Sequence, residues 1–212
     1  MHRRKFSMFK FVGVLAATTL IFMIGIQLGN YLSSIKITRI EDLQNDIKVD
    51  TLGLETQLLI VSKNPCEILK LGIMDEELYE IGSKLAYIES QYGHGDESVQ
   101  RLKNYYSILE LRHWILLNNV KEKCNIDYDL ILYFYSNELD CNDCEKQGFV
   151  LDYIRRTNSN VKIYSLEYSL DNPAINTIKA LYKIKAEELP VIIINGEAYT
   201  GFKDKAEFES LQ

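Results

Sequence analysis

The stretch LILYFYSNELDCNDCEKQGFVLDYI, residues 130–154, decides the fold of the C-terminal half of this chain. It opens with leucine, isoleucine and aromatic residues at 130–135, a run that is long and apolar enough for a short buried strand. Two cysteines with two residues between them follow, Cys141 and Cys144. The apolar residues of 149–154 then recur at helical spacing. A strand, a CxxC pair and a helix therefore follow one another.

The residues after this stretch continue the alternation of strands and helices. Asn195-Gly196 is the strongest short signal for a hairpin turn, because both residues tolerate a positive φ. Pro173 stands early in its segment, where the missing N–H costs little. The predicted elements are a strand at 161–166, a helix at 173–185, strands at 191–194 and 197–200, and a helix at 203–212. The order is strand–helix–strand–helix–strand–strand–helix.

This order, with CxxC at the start of the first helix, resembles the thioredoxin superfamily over about residues 125–212. Leu189-Pro190 directly precedes the third strand, where that superfamily keeps a cis-proline beside its cysteine pair. Gly201 follows the second strand of the hairpin, near where family members turn into their last helix. The resemblance implies an α/β, thioredoxin-like fold and a thiol–disulfide oxidoreductase. It does not extend to the helices upstream.

The chemistry of the cysteine pair has a physical basis. The thiolate, rather than the thiol, attacks a disulfide, and a helix that begins near Cys141 would lower the pKa of its thiol. Cys144 would then lie one helical turn further on, close enough to form a disulfide. We expect Cys141 to be the nucleophile and Cys144 the resolving thiol. By resemblance, Pro190 and Leu189 would border the substrate groove, and no metal or other cofactor is implied.

The surroundings of the pair depart from the common family patterns. Asp140 stands where the family often has Trp, and Asn142-Asp143 separates the cysteines instead of Gly-Pro or Pro-His. Negative charge near a sulfur disfavours its thiolate, so we expect a weaker oxidant than the Pro-His enzymes. Two acids of this region also have a structural interpretation. Asp140 as N-cap, and Asp143 three residues later, would satisfy free N–H groups at the start of the helix. The acids around the site are Glu138, Asp140, Asp143 and Glu145.

The N-terminus predicts a membrane anchor. Residues 1–10 form a basic lead that would stay in the cytoplasm, and residues 11–33 are long and apolar enough to cross a bilayer as a helix. The remainder would then be extracytoplasmic. A cleaved signal peptide is the alternative, although the apolar run is longer than usual and lacks a convincing cleavage site. Gly25 and Gly29 form a small-xxx-small pair that would allow helix dimerisation.

Residues 36–122 are predicted to be helical, because apolar residues recur at helical spacing. Gly93-His94-Gly95-Asp96 is a turn signal between two helical stretches, which indicates a helical hairpin. Asn64-Pro65 interrupts the first stretch. Neither His94 nor His113 is expected to be catalytic. The repeating apolar positions are Ile37, Ile40, Leu43, Ile47, Leu54, Leu58 and Leu59, then Leu78, Ile81, Leu85 and Ile88, then Val99, Leu102, Tyr106, Leu109, His113, Leu116 and Val120.

The other two cysteines, Cys66 and Cys124, are candidates for a structural disulfide. Outside the cytoplasm two thiols pair if their Cα atoms lie within about 7 Å. The alternatives are a relay pair that exchanges electrons with Cys141–Cys144, and zinc binding by all four cysteines. Zinc is disfavoured because Cys66 and Cys124 lack a paired spacing of their own.

Charge and composition narrow the function. The chain has 212 residues and a formal net charge of −6, so it offers no broad basic surface for nucleic acid. The sequence predicts a membrane-anchored, extracytoplasmic thiol–disulfide oxidoreductase for exported proteins that contain cysteine, with a membrane protein as redox partner. The alternative is a redox-inactive, membrane-tethered interaction protein in which the hairpin binds a partner. A CxxC pair that is only a structural bond fits that alternative.

Overall fold

The computed structural model describes residues 8–61, 63, 65–66, 73–125 and 127–211. It divides the chain into two units, Met1–Asp46 and Ile47–Gln212, and each is described on its own. The basic residues at 2–5 lie outside the described residues, and so does Asn64 of the predicted helix break.

The described residues of the first unit, 8–46, are helical and belong to helix α1, which spans Met8–Val61. Within the described residues, Phe9–Ser34 is the one helical segment that is long and apolar enough to cross a membrane, a test that a signal sequence also passes. Two threonine hydroxyls within this segment bond to the helix backbone. Thr18 and Thr19 donate to the Leu15 carbonyl at 2.9 and 2.8 Å. Such bonds would satisfy these two hydroxyls inside a bilayer.

The second unit begins with helices whose apolar faces pack together. Helix α2 spans Ile73–Tyr92 and helix α3 spans Glu97–Cys124. In the part of α1 that belongs to this unit, Ile47, Thr51, Leu54 and Val61 are buried. Leu59, which the sequence pattern assigned to this face, is 70% exposed, so that assignment is wrong. The buried face continues to Val61 instead, which is seven residues, or two turns, beyond Leu54.

Helices α2 and α3 form the predicted hairpin. Asp75 faces His113, Leu78 faces Tyr106 and Glu89 faces Lys103, so the two helices run in opposite directions. The turn between them has Gly93 at φ 89°, a backbone conformation that favours glycine. Asp96 then starts α3, because its carboxylate accepts from the Ser98 N–H at 2.8 Å and the Val99 N–H at 3.2 Å.

The remainder is a mixed α/β arrangement in the predicted order of elements. The four strands are β1 Asp129–Tyr135, β2 Val161–Glu167, β3 Val191–Ile194 and β4 Glu197–Thr200. They form one sheet in the order β2-β1-β3-β4, with β1 and β2 parallel and the other pairs antiparallel. Asn195 and Gly196 both have positive φ at the β3–β4 turn. The other elements are α4 Cys144–Thr157 between β1 and β2, α5 Pro173–Tyr182 and a 3₁₀ helix Ala186–Glu188 between β2 and β3, and α6 Lys205–Glu209 after β4.

Helix α5 ends earlier than the sequence pattern predicts. Lys183 adopts the left-handed conformation, with φ 55°, and its N–H bonds back to the Ala180 carbonyl at 3.3 Å. Such a residue closes a helix and turns the chain. Residues 183–185, predicted as helical, therefore lie outside α5. Helix α6 is also shorter than predicted, and it begins with a capping box between Asp204 and Glu207.

The core of the α/β part lies on both faces of the two central strands. Every residue of β3 is buried, and so are residues 130–134 of β1. Because successive side chains of a strand point to opposite faces, both faces are covered. On one face α4 and α6 contribute Leu151, Ile154 and Phe208 to a cluster with Ile131, Tyr133, Ile192 and Ile194.

The hairpin covers the outer edge of the sheet, which is strand β2. The Glu110 carboxylate of α3 accepts the backbone N–H of Ser165 in β2 at 3.1 Å. Nearby, the Tyr164 hydroxyl lies 3.1 Å from His113 Nδ1, and Lys162 pairs with Asp75 at 2.8 Å. His113 is buried, which lowers its pKa and favours a neutral ring. Its ring contacts Tyr164 of β2 and lies 3.9 Å from Asp75 of α2, so it joins the hairpin to the sheet.

Glu110 is itself fully enclosed, and burial raises its pKa to about 8. The Tyr106 hydroxyl interacts with the same carboxyl group and donates to the Leu78 carbonyl at 3.2 Å. The second carboxyl oxygen, Oε2, is buried and has no hydrogen-bond partner among the described residues, so an ionised carboxylate would leave negative charge there without a donor. The neutral acid is therefore the form that suits the site.

We expect Glu110→Gln to change how stability depends on pH. The pKa of Glu110 is raised in the folded state, so its contribution is complete below about pH 4.5 and is lost as pH rises towards about 8. The loss is about 1.4 kcal/mol per pH unit, a few kcal/mol in all. Urea unfolding of the full chain in detergent, followed by circular dichroism, should show this decline in the wild type and a flatter profile in the variant.

The matched control is Glu97→Gln, because the Glu97 side chain is 90% exposed on the same helix. It should leave the profile unchanged. Parallel profiles for the wild type and Glu110→Gln would contradict a neutral Glu110.

Candidate functional site

The two cysteines lie after the carboxyl end of β1. Residues 136–140 leave the strand, Asn142 and Asp143 form a turn, and α4 begins at Cys144. Cys141 and Cys144 are joined in a disulfide with their Cα atoms 5.4 Å apart. The Cys144 N–H donates to the Cys141 carbonyl at 3.2 Å, which closes the turn between them.

The start of α4 differs from the prediction. The helix begins at Cys144 with Asp143 as N-cap, so Cys141 lies three residues before its first residue, and Asp140 is not the cap. The Asp143 side chain makes no capping hydrogen bond, because its backbone is already helical (φ −100°, ψ −4°) and its carboxylate binds Lys146 at 2.8 Å. The predicted pair of capping acids is therefore wrong.

The two cysteines differ in exposure. Cys141 is half-buried, whereas Cys144 is 5% exposed. The Tyr133 hydroxyl on β1 donates to the Cys144 carbonyl at 2.5 Å and ties the start of α4 to the sheet. Burial raises the pKa of Tyr133, so this hydroxyl keeps its proton. Cys141 is therefore the more accessible residue of the pair.

The segment between β1 and Cys141 is held by hydrogen bonds to its backbone. The Ser136 hydroxyl accepts the N–H groups of Glu138 and Leu139 at 3.2 and 3.1 Å. The buried Glu167 carboxylate, at the end of β2, accepts the Asn137 N–H at 2.8 Å. These bonds fix the path of the chain that leads to Cys141.

The turn of the helical hairpin contacts the same segment. Gln100 at the start of α3 donates to the Glu138 carboxylate at 2.9 Å. The Asn137 amide donates to Glu89 at 3.4 Å and lies 3.2 Å from His94 Nδ1. The hairpin therefore supports residues 136–143, the cysteine loop between β1 and α4. The sequence did not predict this connection.

A buried lysine lies at the centre of this contact. Lys103 on α3 is 5% exposed, forms an ion pair with Glu89 and lies 4.0 Å from Glu167. Burial alone would raise the pKa of Glu89, but hydrogen bonds to Lys103 and His94 bring it below its ordinary value. In the sequence, the position of Lys103 relative to other buried residues of α3 could have identified it as buried. Lys103 falls four residues after the buried Val99 and seven before the buried Glu110, on the inner face of α3.

The register of the sheet places Pro190 at the same edge as the cysteine loop. Val191 pairs with Phe134, one residue from the end of β1, so Pro190 enters the sheet where β1 leaves it. The Leu189-Pro190 peptide bond is cis. Pro190 is buried and Leu189 is half-buried.

A surface depression of about 690 Å³ surrounds the pair. Cys141 and Cys144 both line it, together with the exposed side chains of Leu139 and Phe149. Its remaining lining residues are Tyr133, Tyr135, Ser136, Asn137, Asp140, Asn142, Glu145, Gly148, Asp152 and Ser165. The depression therefore makes Cys141 accessible from solvent. The residues around it are both acidic and apolar.

The second disulfide joins Cys66 to Cys124, with Cα atoms 5.1 Å apart and a sequence separation of 58. It links the segment after α1 to the last residue of α3. Neither cysteine lines the depression around Cys141. Within the described residues there is no group of three or more His, Cys, Asp or Glu side chains placed to hold a metal ion.

Comparison of the chain with protein-family models, with curated proteins and with solved structures found no match.

We expect Lys103→Met to destabilise the protein strongly, because Glu89 and Glu167 would be left without their buried cation. Loss of one partner of a buried ion pair costs about 3–5 kcal/mol. Urea unfolding should show a loss of this order. Arg101→Met is the control, because the Arg101 side chain is 64% exposed and its pair with Glu97 lies at the surface. Similar losses in the two variants would contradict a central role for Lys103.

Proposed function

We propose that this chain is a membrane-anchored thiol–disulfide oxidoreductase that uses Cys141 and Cys144. The observation that carries the proposal is the asymmetry of the pair. A half-buried Cys141 lines an open depression, and its bonded partner is buried at the first residue of a helix. A purely structural disulfide has no need of such an opening.

The reaction follows from this geometry. In the reduced protein, the Cys141 thiolate attacks one sulfur of a substrate disulfide, and the other substrate sulfur leaves and takes up a proton. Cys144 then loses its proton and attacks the Cys141 sulfur, which releases the second substrate thiol. Two electrons pass from the protein to the substrate, and the reverse sequence oxidises a substrate dithiol. Cys141 is the nucleophile because the Cys144 sulfur is enclosed.

Resemblance to the thioredoxin superfamily supports the same function. The element order from β1 to α6, the CxxC pair before the first helix of this part, and a proline directly before β3 all agree with it. Leu189 and Pro190 would border the groove in which a substrate backbone lies. The chain needs no metal or other cofactor for this exchange.

The N-terminal helix supports a location at a membrane. Phe9–Ser34 can span a bilayer, and the positive residues before it favour a cytoplasmic N-terminus. The cysteines would then meet exported proteins. The tether would also raise the effective concentration of a redox partner in the same membrane.

The Cys144→Ser variant should trap substrates on Cys141, because the resolving thiol is missing. Affinity capture of the full-length variant under non-reducing conditions should yield covalent complexes that dithiothreitol releases. The double variant Cys141→Ser/Cys144→Ser is the control and should yield none. Recovery of the same complexes from both variants would contradict the assignment of Cys141.

The reduction potential of the Cys141–Cys144 bond should lie in the range of exchange catalysts, above about −270 mV, yet below the value of about −120 mV of a strong oxidant. The acidic residues around Cys141 disfavour its thiolate and so favour the disulfide. Equilibration of the full chain with glutathione buffers, read by mass spectrometry, measures it. A value below about −300 mV would instead support a redox-inactive interaction protein.

A further inference from the structure

The depression around Cys141 indicates a class of substrate, and this inference rests on the function proposed above. We propose that the surface around Cys141 binds extended polypeptide segments in which the reactive cysteine is flanked by basic and apolar residues.

The charges of the lining have one sign. Asp140, Glu145 and Asp152 line the depression, and none of its lining residues is lysine or arginine. Asp152 is paired with Arg155 and Arg156 at 2.9 and 2.8 Å. Asp140 and Glu145 are exposed and have no ion pair with any residue that the structure describes. Two uncompensated carboxylates therefore lie beside the reactive sulfur.

Two further acids stand next to the depression. Glu138 is exposed and is hydrogen bonded to the neutral Gln100, so its charge is not compensated. Asp143 is paired with Lys146 across a solvent-exposed contact. The local potential is therefore negative, which attracts cations to Cys141 and repels anions.

Apolar side chains also line the depression. Phe149 is 68% exposed and Leu139 is 41% exposed, and both line the depression with Cys141. A single exposed apolar residue is common on protein surfaces. A pair beside a reactive sulfur, in a depression of about 690 Å³, gives an apolar substrate side chain a surface to cover. That volume is within the range of about 300–1,000 Å³ for ligand sites.

The charge and the shape of the depression together favour a polypeptide over a small thiol as the substrate. Glutathione carries net negative charge near neutral pH and would be repelled. A peptide with lysine or arginine on each side of its cysteine places positive charge over Asp140 and Glu145. An adjacent leucine or phenylalanine would contact Phe149.

The test uses the full-length Cys144→Ser variant in nanodiscs of zwitterionic lipid, with the Cys66–Cys124 bond intact. Its substrates are short peptides that are dimeric through one disulfide, identical except for lysine or glutamate beside the cysteine. The Cys141 thiolate attacks the peptide disulfide, and the protein gains one peptide while one peptide thiol is released. Mass spectrometry follows this single step. The attack of 2-mercaptoethanol on each peptide corrects for their intrinsic reactivity.

The lysine peptide should react about tenfold faster than the glutamate peptide at low salt. This ratio of the two reaction rates should fall towards one as salt screens the charges. Adding Asp140→Asn with Glu145→Gln should bring the ratio close to one, whatever it does to the absolute rates. Glu76→Gln with Glu80→Gln is the matched control. Both are exposed residues of α2 outside the depression, and this change should preserve the ratio.

Each other outcome overturns a defined part of the proposal. A ratio near one in the Cys144→Ser parent, or a ratio that survives the Asp140 and Glu145 changes, would overturn the preference for basic segments while leaving the exchange reaction intact. Reaction with neither peptide would overturn both the preference and the proposed function. A leucine-containing lysine peptide that reacts at the same rate after Phe149→Ser would remove the apolar contact from the proposal.

Discussion

The arrangement around the cysteine pair depends on one buried charge. Lys103 reaches from the helical hairpin into a buried space, where it forms an ion pair with Glu89 and lies 4.0 Å from Glu167. Through Glu167 it connects to the backbone of Asn137, and so to the segment that carries Cys141. The upstream helices are thus part of the support of the site. Loss of the Lys103 side chain would leave Glu89 and Glu167 buried without this counter-charge.

Much of the fold follows from local sequence. The strand at 191–194 and the Asn195-Gly196 turn were predictable because an uninterrupted apolar run and two residues that tolerate positive φ leave few alternatives. The hairpin was predictable from apolar spacing and from a glycine-rich turn. The cysteine pair was equally visible as a candidate site, because CxxC followed by an amphipathic stretch combines a reactive group with a helix.

What the sequence left undetermined depends on contacts between distant residues. Lys103 and Glu110 resemble ordinary charged residues of a solvent-facing helix until the sheet edge and the end of β2 are placed against them. The start of α4 was misplaced because several acids near the cysteines could each serve as N-cap. The backbone angles of Asp143 and its bond to Lys146 decide the question, and neither can be read from composition.

The two edge strands of the sheet, β2 and β4, affect whether copies of this protein associate. On one side Glu110 of α3 binds a backbone N–H of β2, and on the other β4 has only four residues, three of them exposed. A free, long, flat strand would recruit a neighbouring chain into an intermolecular sheet, which is the usual route to aggregation. In the proposed membrane location, copies of the protein share one plane and would meet often. The side-chain bond on β2 and the shortness of β4 would both disfavour pairing between copies.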